Sequence, residues 1–122
     1  MLVLGTVVTG AGPHAGDPDS GRNGFDETAI SQLHTDAVCV LFGATVALVV
    51  VARVTESTQS VRHLSTVVLL TEMAQGAIGF TQYFTGLPWG LVIVHMALAA
   101  VLTAEVTVLF DHTRNGPRLS RA

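Results

Sequence analysis

Five ionisable side chains stand inside long apolar runs of this sequence: His34, Asp36, Glu72, His95 and Glu105. Such groups are costly in a lipid-embedded segment and are candidates for function by default. Two are histidines, and a neutral imidazole is a good ligand for iron, copper or zinc. The apolar runs place His34 about four residues, or ~6 Å, into one helix and His95 about seven residues, or ~10 Å, into another, both counted from the same side. Two imidazoles at matched depth on different helices suit the axial positions of a haem iron, and a lipid-facing bundle suits the mostly apolar ring. A copper or zinc site needs further donors, and only Asp36 stands near that depth. Each histidine alone could equally hydrogen-bond a neighbouring helix.

The remaining ionisable groups read less sharply. Asp36 lies two residues from His34 and so on another helix face. It either reaches water near the membrane surface or orients an imidazole from behind. Glu72 falls mid-span and is expected to bond Gln75 or a neighbouring helix, with membership of a proton path as the rival reading. Glu105 is expected to reach the nearer interface. His63 and His112 fall at the boundary and need no special role. His14 and Arg22 belong to a polar loop, where Arg22 is the lone cation. It could pair with a haem propionate or with loop aspartates.

Composition sets the frame that must position these groups. The chain has 122 residues, 49% hydrophobic and 12% charged, with a mean hydropathy of +0.54. Soluble domains carry about 25% charged residues, so the chain belongs to the membrane class. Net charge is −3, which offers no electrostatic footprint for nucleic acid. The single cysteine, Cys39, lies in an apolar run and forms no internal disulfide.

Hydrophobic periodicity predicts an all-α integral membrane bundle of three full transmembrane helices, preceded by the end of a fourth. Residues 1–9 are apolar but far short of the roughly 20 a span needs, and they lack the positive flank of a signal peptide. They are read as the last turns of a truncated helix. Residues 10–29 form an acidic loop dense in glycine and proline. Residues 30–110 hold the three spans: about Ile30 to Val54, Val61 to Phe84, and Leu87 to Phe110. Asp26 or Thr28 is expected to cap the first. In the second, Glu72, Gln75, Gly76, Gly79, Gln82, Tyr83 and Gly86 recur at steps of three or four, giving one polar and small face. In the third, Pro88 suits the first turn, and Ala97, Ala100 and Ala104 offer small-residue spacing for close packing. Tyr83, Phe84 and Trp89 form an aromatic belt at one boundary. Residues 111–122 are a polar tail.

Arg53 and Arg62 in the short link, and Arg114, Arg118 and Arg121 in the tail, fall on one side of the membrane. Arg22 stands alone on the other. By the positive-inside rule the link and tail are cytoplasmic and the acidic loop is outside.

Four motifs in order then give the chain a resemblance. They are Gly10-Ala11-Gly12-Pro13-His14-Ala15-Gly16-Asp17, Gln32-Leu33-His34-Thr35-Asp36, Gln82-Tyr83-Phe84-Thr85-Gly86-Leu87-Pro88, and His95-Met96. Together they resemble the C-terminal half of haem A synthase, over about Leu2 to Phe110. The resemblance implies half of an eight-helix membrane fold, in which His34 and His95 are the axial ligands of a haem b. It implies an oxidoreductase that converts a methyl group of haem o to the formyl of haem a for cytochrome oxidase. Partners implied are membrane lipid, the N-terminal half of the enzyme, haem o and haem O synthase. Neither Glu72 nor Glu105 matches the family's catalytic glutamate, so no catalytic residue is assigned. The family often carries a cysteine pair in the outer loop, and this loop has none. On this resemblance the chain is a fragment or one part of a split enzyme, inactive alone. Two other readings share the same residues: a b-type cytochrome subunit that only carries electrons, and a non-haem transporter or structural piece whose polar second span glues helices.

Overall fold

Each helix of this protein begins or ends where a particular side chain or turn meets the free backbone groups at its terminus. The computed structural model describes residues 2–12 and 22–115. The helices are α1 (Leu2–Ala11), α2 (Glu27–Val54), α3 (Gln59–Phe84) and α4 (Trp89–Asn115), with no strand among the described residues. The last three are long and apolar enough to cross a membrane, as in a multi-pass membrane protein. The chain divides into two units, Met1–Gly43 and Ala44–Ala122, and α2 runs through both.

In the first unit, the carbonyls at the end of α1 are met from the following loop. The Asn23 side-chain amide donates to Val7 O at 2.8 Å, and its backbone N–H donates to Gly10 O at 3.2 Å. Helix ends need such partners. A methyl at Gly10 would stand 3.0 Å from that amide nitrogen, so glycine lets Asn23 approach. Asn23 Oδ1 also accepts from Phe25 N at 3.2 Å, which turns the chain toward α2. Asp26 Oδ1 accepts from Ala29 N at 2.7 Å and caps α2. The helix therefore starts at Glu27, three residues before the apolar run. The loop is correspondingly shorter than 10–29 at both ends.

The second unit turns twice with the same device. After α2, Ser57 N donates to Ala52 O at 3.1 Å and Glu56 takes φ 51. After α3, Leu87 N donates to Gln82 O at 2.7 Å, with Gly86 at φ 77. Both are left-handed C-terminal caps. Gly86 is therefore a cap beyond the helix rather than a member of the polar face. Thr58 Oγ1 accepts from Val61 N at 3.4 Å and starts α3. Pro88 stands just before α4, its carbonyl accepting from Leu91 and Val92.

α4 continues past Phe110 to Asn115, so the polar tail is helical for its first residues. The apolar run ends at Phe110, but the backbone has no reason to stop there. Arg114 lies over the Phe110 ring at 5.5 Å, and cations suit a helix C-terminus. The rest of the tail, residues 116–122, lies outside the described residues.

Within the second unit, the buried positions of α3 are Val61, Ser65, Val68 and Glu72, continued by the half-buried Gln75, Gly79 and Gln82. The steps alternate four and three. On α4 the same alternation runs through Leu91, His95, Leu98, Leu102, Glu105 and Leu109. Two heptad seams of this kind interlock along their length. Ala52, Val61, Val68 and Leu109 form the core, with Leu48, Leu64 and Leu102 packed against it. Ala97, Ala100 and Ala104 do not pack here. They are exposed, on the far side of α4 from its seam. The outward faces carry large apolar groups, among them Val50, Leu70, Met73, Phe80, Ile93, Val101 and Phe110. In a membrane span such a face meets lipid. Tyr83, Phe84 and Trp89 also face outward near the α3–α4 turn, as a boundary belt requires.

Candidate functional site

His34 is seven residues beyond Glu27 and His95 six beyond Trp89, or about 10 and 9 Å along their own helices.

Each histidine packs over a glycine of the helix before it. In the first unit, a methyl at Gly5 would lie 3.6 Å from His34 Cε1. In the second, a methyl at Gly79 would lie 3.2 Å from His95 Cε1 and 3.7 Å from its Nδ1. A methyl at Gly79 would therefore crowd its imidazole, whereas one at Gly5 would meet His34 at ordinary van der Waals distance. His34 is half-buried, and its buried Nδ1 has no hydrogen-bond partner among the described residues. Asp36 does not supply one. It is exposed and accepts from Gln32 Nε2 at 2.8 Å, one turn away on α2. At His95, the backbone carbonyl accepts from Gln75 Nε2 at 2.8 Å, which pins α4 to α3 at this level.

The carboxyls inside the second unit take hydroxyl partners across helices. Thr45 Oγ1 of α2 donates to Glu72 Oε1 at 2.9 Å. Thr71 Oγ1 of α3 donates to Glu105 Oε1 at 3.1 Å. Glu72 therefore pairs with a neighbouring helix and not with Gln75. Glu105 turns into the helix pair instead of reaching the interface. Tyr83 is exposed and leaves the polar face, whose working members are Glu72, Gln75, Gly79 and Gln82. Arg22, His63 and His112 are exposed. His14 lies outside the described residues.

Thr45, Thr71 and Asn23 escaped the sequence reading. Most threonines of these helices, such as Thr81, Thr103 and Thr107, bond a carbonyl one turn back on their own helix. Residue type does not separate Thr45 and Thr71 from them. Heptad register does for Thr45, which falls in step with the buried Ala52 a heptad later on α2.

Among the described residues, no three or more His, Cys, Asp or Glu side chains gather where they could hold a metal ion. A tetrahedral zinc site asks for such a set. A porphyrin asks for less, because it brings four equatorial nitrogens of its own and leaves two axial positions to the protein. His34, with no competing hydrogen bond among the described residues, and His95, seated over glycine, fit that demand by donor type. Compared with protein-family models, curated proteins and solved structures, the chain matches none at a significant level.

Proposed function

We propose that this chain is a haem-binding part of a membrane oxidoreductase of the haem A synthase type, with His34 and His95 as the axial ligands of a haem b. The observation that carries this reading is the shared seating of the two histidines. Each stands about two turns into an apolar helix, held over a glycine of the preceding helix. The sequence motifs around them support the same assignment. Haem iron, when bound, supplies one-electron transfer. The chain's own residues would hold the two imidazoles on apolar helices. Gln75 fixes the height of His95 through its backbone carbonyl. No residue of this chain is assigned the oxidation of the haem o methyl. That step belongs with the helices that hold the substrate in the intact enzyme, for which the present chain supplies electrons.

The arginines orient the protein. Arg53, Arg62 and Arg114 fall toward one membrane face, which the positive-inside rule makes cytoplasmic. On this reading the α3–α4 turn lies outside.

The test is direct. The full chain, purified from membranes and titrated with haemin, should give a low-spin six-coordinate optical and electron-paramagnetic spectrum. His34→Ala and His95→Ala should each lose it. Deleting the gene should remove haem a from the host. Loss of haem-binding without loss of haem a would leave an electron carrier only. A chain that takes up no haem, or variants that keep the wild-type spectrum, would refute the assignment.

A further inference from the structure

The second unit keeps four oxygen atoms buried with no hydrogen-bond donor among the described residues: Glu72 Oε2, Gln75 Oε1, Gln82 Oε1 and Glu105 Oε2. Glu72 is only 7% exposed. Glu72, Gln75 and Gln82 lie on the inward face of α3, and Glu105 on the inward face of α4. An unmet buried acceptor is costly, and four together rival the net stability of a whole domain. A fold of this size does not leave such a group dry.

The chemistry of the four is uniform. Gln75 is oriented by its amide donating to His95 O, which leaves Oε1 facing the seam as an acceptor. Each carboxyl has one oxygen held by a threonine hydroxyl and the other bare. Among the described residues no arginine reaches them. Arg53 donates to Thr66 at 3.5 Å, Arg62 is exposed, and Arg114 lies over Phe110. The titratable groups facing this stretch are Glu72 on α3 and Glu105 and His95 on α4, while α2 presents the Thr45 hydroxyl. An unpaired carboxylate is expensive inside a bilayer, and taking up a proton removes that cost. Water is the species that can meet both forms, because it donates to a bare oxygen and accepts from a carboxyl O–H. Positions 72, 75, 79 and 82 step along one face toward the α3–α4 turn, a path of about 15 Å.

We propose that Glu72 and Glu105 form a proton-exchange site within the membrane, served by water that enters along Gln75 and Gln82 from the α3–α4 turn. In each exchange a water or hydronium O–H breaks as a carboxyl O–H forms, and no electrons move. Thr45 of α2 holds Glu72 and Thr71 of α3 holds Glu105, so each carboxyl keeps one oxygen open to water. The site stands whether or not the chain binds haem, and its readout involves no haem.

Infrared spectra of the full chain in lipid vesicles test it. The carbonyl stretch of protonated carboxyl groups should be present at neutral pH and should shift within minutes of transfer to D₂O. Glu72→Gln and Glu105→Gln should each weaken this band, and the double variant should remove it, with helicity checked by circular dichroism. The wild-type exchange alone decides the matter if a variant fails to fold. No band, a band that resists D₂O overnight, or a band that survives in the double variant would overturn the proposal. The second of these is the result expected if another polypeptide caps the oxygens.

Discussion

Gly79→Ala is the substitution on which the seating of His95 depends most directly. The added methyl would stand 3.2 Å from Cε1 of the imidazole. Carbon atoms prefer 3.5–4.0 Å, so the contact is short by a few tenths of an ångström and the ring or the helix must yield. Gly76, three residues earlier on α3, meets nothing within 4 Å. Replacing a mid-helix glycine by alanine gains about 0.5–1 kcal/mol in backbone terms. Gly76→Ala should collect that gain in full. Gly79→Ala sets it against an overpacking cost of about 1 kcal/mol, the low end for an extra methyl, and should come out neutral or slightly destabilising. Unfolding of the purified protein in detergent, followed by circular dichroism, measures both. In a His95→Ala background the obstacle is gone, and Gly79→Ala should stabilise as Gly76→Ala does. The coupling in that cycle should be about 1 kcal/mol. If Gly79→Ala stabilises the wild type as much as Gly76→Ala, the imidazole does not rest on Gly79 and the argument fails.

Three other substitutions probe the frame. Thr45→Val strips Glu72 of its donor and should cost about 1–3 kcal/mol in the same unfolding assay. Adding Glu72→Leu should return most of it, and an additive loss would mean the bond is idle. Asp26→Ala removes the α2 cap and should cost about 1 kcal/mol, with faster hydrogen exchange confined to the first turn of α2. Unchanged exchange there would show that another group caps the helix. Ser65 is fully buried on the α3 seam, so Ser65→Leu should destabilise by about 1–3 kcal/mol through overpacking. A stabilised variant would show that the seam is open at that level.

The helices were legible in the sequence because an unbroken apolar run in lipid has few alternatives to a helix. Their ends were less so. Glu27 to Ala29 and Asp111 to Asn115 are polar, and hydropathy stops where helices need not. Capping by Asp26 and the cation at Arg114 extend them instead. The face of α3 was visible from the spacing of Glu72, Gln75, Gly79 and Gln82, because polar groups in a span avoid lipid. The face of α4 was misread. Small residues at Ala97, Ala100 and Ala104 imitate a packing motif, but alanine is also tolerated against lipid, so its spacing alone does not choose a side. His95, Leu98, Leu102, Glu105 and Leu109 do choose, once the seam they share with α3 is seen. The histidines were found by residue type. Their seats on Gly5 and Gly79 were not, since a glycine in a membrane helix has many uses.

What selects the α3–α4 arrangement is the polar content of its seam. Lipid tails are as apolar as leucine, so burying Val68 or Leu109 against another helix gains little over leaving it in the bilayer. The register must come from contacts that lipid cannot offer. Thr71 to Glu105 and Gln75 to the His95 carbonyl are such contacts, spaced along the two helices. A slip of one residue between α3 and α4 would break both at once and drive the Gly79 backbone against a different side chain. The same bonds that fix the register also fix the height of His95. In this chain the residues that hold the helices together are therefore the ones that place the candidate ligand.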